Sequence, residues 1–268
     1  MVGKLIKNEF KAALHSVAGI YIAAVAAVAF LAISLLFKIV WLSAISLLAV
    51  IVVAMGILII TIFSVVTNFN KSLFRDQGYL TFTLPVTSGQ ILFAKTICSF
   101  FWILLSYVSL LAIFAGIYMY AAEQIGEETI ATVKILLSTI TELPDTGAVI
   151  TVISVIILRI FLKLVFYIAE IYFAITLSNV RPFQRQSLIP AILIFVVLSG
   201  ATTIISSLLT AYVPLSLAIT VHGIELTTKA MAAGGMMFGV ADVIFEFAIT
   251  CVFFFMSAWF MNHKINLK

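Results

Sequence analysis

The sequence has few charged residues, few cysteines and few histidines. Only 10% of its 268 residues are charged, whereas 64% are hydrophobic, and the mean hydropathy is +1.26. Soluble domains are about 25% charged and about 45–50% apolar, so the composition predicts an integral membrane protein. The two cysteines lie within apolar runs and the three histidines fall in separate segments. We therefore expect neither a disulfide framework nor a histidine-based metal site.

The motifs of common enzyme classes are also missing. The chain contains no G-x-x-x-x-G-K-[ST] loop, which would cradle a nucleotide phosphate, and no G-x-S-x-G nucleophile turn. We therefore expect no enzyme activity, no catalytic or metal-binding residues and no cofactor on this chain. The net charge of +4 is spread over residues that flank apolar runs, which is typical of membrane topology and not of nucleic-acid binding.

Six apolar segments are long enough to cross a bilayer, which takes about 20 residues. The pattern predicts an all-α protein with one transmembrane domain over residues 1–268. The first two segments must be separated by a turn near Lys38, because one helix over 17–67 would be about 75 Å long. The six predicted spans are 17–37, 41–67, 97–120, 148–177, 188–212 and 240–261.

The basic residues are distributed unequally between the two sides of these spans. One side carries ten Lys and Arg residues and the other carries three. Because Lys and Arg accumulate in cytoplasmic loops, we expect both termini and the loop after the second span to face the cytoplasm. The glycine-containing segment 213–239 then faces outward, where its backbone would need shielding if it entered the membrane.

The first residues form an amphipathic pattern. On a helix over about 3–15, Lys4, Lys7 and Lys11 share one side, and Ile6 and Phe10 share the other. This predicts a helix lying in the inner leaflet. The alternative is that the segment is only the charged flank of the first span.

Charged residues also occur inside two predicted spans. Arg159, Lys163 and Glu170 lie within about 40° of one another on the fourth span. Asp242 and Glu246 lie one turn apart on the sixth span. A lone charge at mid-bilayer costs about 2.5–3.5 kcal/mol, so we expect pairing between the two helices. The pairs would hold the helices together, line a transport route or relay protons.

Small hydroxylated residues form stripes on the second and fifth spans. Such stripes allow close helix packing, or they form a weakly polar wall of a pathway or a dimer seam. The seam candidates are Ser64, Asn68, Ser199, Thr203, Ser206 and Thr210.

The polar segment FRDQGYLTFTLPVTSGQILFAK, at about 74–95, resembles the first cytoplasmic loop of bacterial ABC-2-type (type V exporter-like) permeases, in particular short six-span permeases of Gram-positive bacteria. The resemblance rests on Asp76, Gly78-Tyr79-Leu80, Thr83-Leu84-Pro85-Val86 and Lys95. Relatives often have a second acidic residue where this chain has Gln77. The start of the chain, LIKNEFKA, resembles the interfacial helix of the same family.

This resemblance implies that the segment is a coupling helix that docks on a separate ATP-binding subunit. Two such subunits would bind ATP and Mg²⁺, and two permease subunits, expected to be identical, would pair in the bacterial cell membrane. Gly78 and Pro85 would delimit the helix, since Gly weakens a helix interior and Pro restricts its predecessor. The implied contact residues are Asp76, Gln77, Gly78, Tyr79, Leu80, Phe82, Leu84 and Pro85.

The resulting expectation is the membrane subunit of an ATP-driven exporter of amphipathic peptides or hydrophobic compounds. Two alternatives stay open. One is a secondary transporter driven by an ion gradient through the intramembrane charges, although inverted repeats, which are common in that class, are not evident. The other is a membrane assembly or sensor subunit that transports nothing.

Overall fold

The computed structural model describes residues 2–37, 40–74, 86–125, 146–180, 189–213, 215–220, 223–227 and 237–263. Each of the six described helices contains a stretch that is long and apolar enough to cross a membrane, which confirms the prediction of a multi-pass helical protein. In lipid, an apolar segment must satisfy its own backbone N–H and C=O groups, and a helix does so. The helices are α1 (Val2–Leu36), α2 (Val40–Phe74), α3 (Ser88–Ile125), α4 (Thr146–Ser178), α5 (Ile189–Tyr212) and α6 (Val240–His263).

The chain divides into two compact units, which we describe separately. The first contains α1, α2 and α3 as far as Ala121. The second contains α4, α5, α6 and a small β-sheet. Each unit contains three long helices, and the expectation of one transmembrane domain stays a prediction.

Helix α1 runs without a break through the predicted interfacial segment and the first predicted span. The apolar side of the interfacial segment packs against α3: Phe10 meets the ring of Phe101 edge-to-face at 5.0 Å, and Ala13 is buried in a cluster with Trp102. Leu14 remains exposed. The expected separate helix is thus the first part of one long helix, because its apolar side has a partner within the chain.

Helices α1 and α2 are in contact, whereas the turn predicted near Lys38 lies outside the described residues. The hydroxyl groups of Ser34 and Ser46, one on each helix, are 2.8 Å apart and fully buried. A second polar contact joins three helices, since Ser106 of α3 donates to Thr61 Oγ1 at 2.8 Å and lies 2.9 Å from the Tyr21 hydroxyl. Small hydroxyl residues therefore lie at the helix contacts of the first unit, as they commonly do in membranes.

Helix α3 begins at Ser88, nine residues before the predicted span start at residue 97. Thr87 and Gln90 form a reciprocal capping box: the Gln90 N–H donates to Thr87 Oγ1 at 3.4 Å, and the Thr87 N–H donates to Gln90 Oε1 at 3.2 Å. The hydropathy of the sequence predicts a span that starts only after the charged Lys95. The helix continues through Lys95, which is buried and ion-paired.

The segment between α5 and α6 contains a three-stranded antiparallel sheet of order β2–β1–β3, which the all-α prediction did not include. Its strands are β1 (Ser216–Thr220), β2 (Gly223–Thr227) and β3 (Met237–Gly239). A Cβ atom on Gly239 would lie 3.3 Å from Thr210 Oγ1, so glycine allows the end of β3 to approach α5 closely. Pairing with both neighbours satisfies backbone groups of the central strand β1.

Aromatic rings pack α4 against α6. Phe173 stacks on Phe253 with ring centroids 4.9 Å apart, and Phe166 and Phe260 flank this pair at 6.4 Å. At the opposite end of α4, Val152 is fully buried against Phe238 of β3. These contacts fix the rotation of α4, and with it the direction of its charged side chains.

Candidate functional site

Four charged side chains of α4 and α6 form one ion-pair network in the second unit. Arg159 donates from Nη2 to Asp242 Oδ2 at 2.7 Å and from Nη1 to Glu246 Oε2, and Lys163 donates from Nζ to Glu246 Oε1. The pairing that the sequence predicts between the two helices is therefore present. Two cations face two anions, so the network is neutral as a whole.

The network extends to α5 through a hydroxyl group. Ser206 donates to Asp242 Oδ1, the carboxylate oxygen that Arg159 does not use. Asp242 lies in the first turn of α6, where the helix N-terminus favours a negative charge. Arg159 and Asp242 are largely shielded, Glu246 is 4% exposed, and Lys163 keeps 37% of its side chain exposed.

Glu170 is separate from this network, although it shares a helix face with Arg159 and Lys163. It lies seven residues beyond Lys163, which is about 10 Å along the helix. Glu170 is fully buried, and its Oε1 accepts a hydrogen bond of 3.3 Å from Thr202. Its other oxygen, Oε2, has no hydrogen-bond partner among the described residues.

A cavity of about 170 Å³ lies between α4, α5 and α6 and joins Glu170 to the ion-pair network. Lys163 and Glu246 line one part of it, and its wall also contains aromatic rings and hydroxyl groups. Lys163 Nζ lies 5.5 Å from the ring centre of Phe166 and 5.4 Å from that of Tyr167. The remaining lining residues are Ser199, Thr202, Thr203, Ser206 and Phe245.

The polar stripe predicted on α5 faces two environments. Ser199, Thr203 and Ser206 line the cavity, and Ser206 also reaches Asp242. Thr210 is exposed and donates to the Ser206 carbonyl of its own helix. The stripe is thus partly a cavity wall, whereas its predicted role in a dimer seam stays a prediction.

In the first unit, the sequence-based interpretation missed a buried ion pair. Lys95 Nζ lies 2.6 Å from Glu9 Oε1, and Lys95 is 2% exposed. Asn68 donates to the second oxygen of Glu9 at 3.1 Å. The sequence pattern assigns Lys95 to the motif at 74–95 and gives Glu9 no role beyond a charge that flanks a span. The sequence feature that could have predicted the pair is a single acidic residue in a basic helix together with a single lysine at the start of the third span.

Most polar side chains of the predicted stripe on α2 contact other residues of this chain. Ser64 is buried, Asn68 is bonded to Glu9, and Ser46 and Thr61 contact α1 and α3. These contacts favour the helix-packing interpretation of the stripe over an open seam.

The predicted coupling-helix residues, from Asp76 to Pro85, lie outside the described residues. Most of the segment 121–147, between the third and fourth predicted spans, also lies outside the described residues. Of the expected contact surface for an ATP-binding subunit, the structure describes only the flanking helices α2 and α3.

Within the described ranges, no group of three or more His, Cys, Asp and Glu side chains is arranged to hold a metal ion. The arrangement does offer a partly open cavity between membrane-length helices, with a buried carboxylate oxygen that has no hydrogen-bond partner among the described residues. Comparison of the chain with protein-family models, with curated proteins and with solved structures gives no match.

Proposed function

We propose that this chain is the membrane-embedded permease subunit of an ATP-driven exporter. The observation that carries the proposal is the cavity between α4, α5 and α6, which places polar and charged groups within helices long enough to cross a membrane. Polar residues inside membrane helices generally mark substrate or ion pathways. The resemblance of segment 74–95 to the coupling loop of ABC-2 permeases supports the ATP-driven class.

In this proposal the chain forms the transmembrane part that changes conformation, and a separate subunit supplies the energy. The sequence has no phosphate-binding loop, so ATP must act through contact at residues such as Tyr79 and Leu84. ATP binding would draw the coupling helices of two permease copies together and shift the equilibrium between two states of the helices. This requires that ATP favours one of the two states.

The test is capture of an ATP-binding subunit by the tagged full chain in its native host, in mild detergent. We expect Tyr79→Ala and Leu84→Asp to abolish capture of a P-loop protein, because they remove apolar anchors of the docking surface. The matched control is Tyr212→Ala, which changes a tyrosine that is 82% exposed at the end of α5. Unchanged capture and unchanged ATP-dependent transport in both test variants would remove the coupling-helix assignment.

A second candidate is a transporter driven by an ion gradient, which Glu170 favours because its Oε2 atom is buried without a partner in a polar cavity. Proteoliposomes that contain only this chain separate the two candidates. Gradient-driven transport that needs no ATPase and is abolished by Glu170→Gln would support the second candidate. Transport that appears only with an ATPase and ATP would support the first.

A further inference from the structure

Among the described residues around the cavity between α4, α5 and α6, one acidic side chain has no ionic partner. Arg159 and Lys163 supply two positive charges, and Asp242 and Glu246 balance them through the ion pairs described above. Glu170 is the remaining acid; no ion pair or buried cation meets it among the described residues, and its Oε2 accepts no hydrogen bond there. An isolated buried carboxylate is costly, so the group needs a proton or a cation.

Among the described residues, no donor reaches the remaining lone pairs of the hydroxyl groups beside Glu170. Thr202 donates its hydrogen to Glu170 and to the Ser199 carbonyl, and Ser199 donates to the Val196 carbonyl at 3.2 Å. Ser206 donates to Asp242. A hydroxyl has one hydrogen and two lone pairs, so these side chains face the cavity as acceptors. The lining is therefore matched to a ligand that donates hydrogen bonds.

The size and the aromatic wall indicate more than a bare ion. A volume of about 170 Å³ is several times the roughly 30 Å³ share of one water molecule. Phe166, Tyr167 and Phe245 supply apolar and π surfaces next to the acceptors. Aromatic faces attract organic cations. Thr202 lies near the middle of α5, about 20 Å from one end and about 15 Å from the other.

We infer that this cavity binds a small organic ammonium ion, with Glu170 as its counter-ion, the hydroxyl groups of α5 as acceptors and the aromatic rings around its apolar body. The ammonium of Lys163 is held by Glu246 and lies over the rings of Phe166 and Tyr167, so we expect the ammonium of the ligand on the Glu170 side of the cavity. Naming the ligand a transported substrate rests on the proposed function, whereas the binding itself does not.

The experiment measures binding to the purified full chain in phosphatidylcholine nanodiscs by calorimetry, with empty nanodiscs subtracted. Three probes share one ring and differ in charge: phenethylammonium, neutral 2-phenylethanol and anionic 3-phenylpropionate. We expect the ammonium to bind at least about tenfold more tightly than the alcohol, which corresponds to about 1.4 kcal/mol. The anion should bind most weakly. This series needs no variant and therefore does not depend on the folding of one.

The variant Glu170→Gln keeps the shape of the side chain and removes its charge. We expect it to lower the ammonium affinity about tenfold and to leave the alcohol affinity unchanged. The matched control is Ser207→Ala, which removes an exposed hydroxyl of α5 that bonds only the Ile204 carbonyl; it should change neither affinity.

Three outcomes would overturn the inference. They are equal affinity for the ammonium and the alcohol, tightest binding of the anion, and ammonium binding that is unaffected in folded Glu170→Gln. Binding of sodium ions alone, without the amine, would also overturn it. Since no ATPase is present, a negative result here leaves the capture test of the permease proposal untouched, and a failed capture leaves the amine result standing.

Discussion

The ion-pair network of the second unit can be tested by the variant Glu246→Gln. Glu246 is 4% exposed and accepts from both Arg159 and Lys163. The substitution keeps the side-chain volume but leaves Arg159 with Asp242 alone and removes the carboxylate that Lys163 contacts. Removing one partner of a buried ion pair typically costs about 3–5 kcal/mol, because the other charge stays buried without compensation. We expect a loss of that size in the free energy of unfolding.

The companion variant Lys163→Met should lower the free energy of unfolding much less than Glu246→Gln does. More than a third of the Lys163 side chain is exposed, so solvent screens its charge, and Glu246 keeps Arg159 as a partner. A screened pair contributes about 0–1 kcal/mol. In the double variant, Arg159 and Asp242 remain as a balanced pair. The loss in the free energy of unfolding of the double variant should therefore be at least about 1 kcal/mol smaller than the sum of the losses of the two single variants.

The assay is equilibrium unfolding in mixed micelles with increasing SDS, followed by far-UV circular dichroism. The control cycle combines Lys163→Met with Ser207→Ala, whose hydroxyl bonds only its own helix, and should be additive. Additive losses for Lys163→Met with Glu246→Gln would refute the network, as would a Glu246→Gln variant as stable as the unmodified chain.

In the first unit, Lys95→Met should lower the free energy of unfolding by about 3–5 kcal/mol, because it leaves the largely shielded Glu9 carboxylate without its cation. The double variant with Glu9→Gln should recover part of this loss in the same SDS titration. A double variant that recovers none of it would contradict the ion pair. Ser106→Ala should cost about 1–3 kcal/mol by thermal unfolding in detergent, because buried hydroxyl partners such as that of Tyr21 lose a bond. The exposed Ser207→Ala should be nearly neutral, and equal losses in both serine variants would argue against the Ser106 contact.

The number and the approximate position of the helices follow from the sequence. Each predicted span coincides with one of α1 to α6 to within one residue or lies inside it, because a long apolar segment in lipid has to satisfy its own backbone hydrogen bonds. Helix ends were less predictable: α3 begins at Ser88 because a capping box starts it and because the charge of Lys95 is neutralised inside the protein. The sheet after α5 has no strong periodic pattern and was not predicted.

The candidate site was predictable only in part. Helical periodicity places Arg159, Lys163 and Glu170 on one face, and the cost of lone charges in a membrane predicts partners for them. The sequence predicts pairs between the two helices and places Arg159 and Glu246 at a similar depth, so a charge swap of these two residues would be expected to restore their contact. The structure shows a four-membered network, in which the same swap would place like charges beside Asp242 and Lys163. The swap is therefore not expected to restore stability.

The sequence by itself determined that this chain is a six-helix membrane protein with charged faces on its fourth and sixth helices, because hydropathy and helical period are local properties. Only the tertiary structure decided which charges meet and which one is left over. The contacts of Arg159 with Glu246 and of Lys95 with Glu9 join residues 87 and 86 positions apart. Such pairings depend on the rotation and relative depth of packed helices, which the packing of side chains such as Phe173 and Phe253 sets. Glu170 is without an ionic partner in the described structure for the same reason.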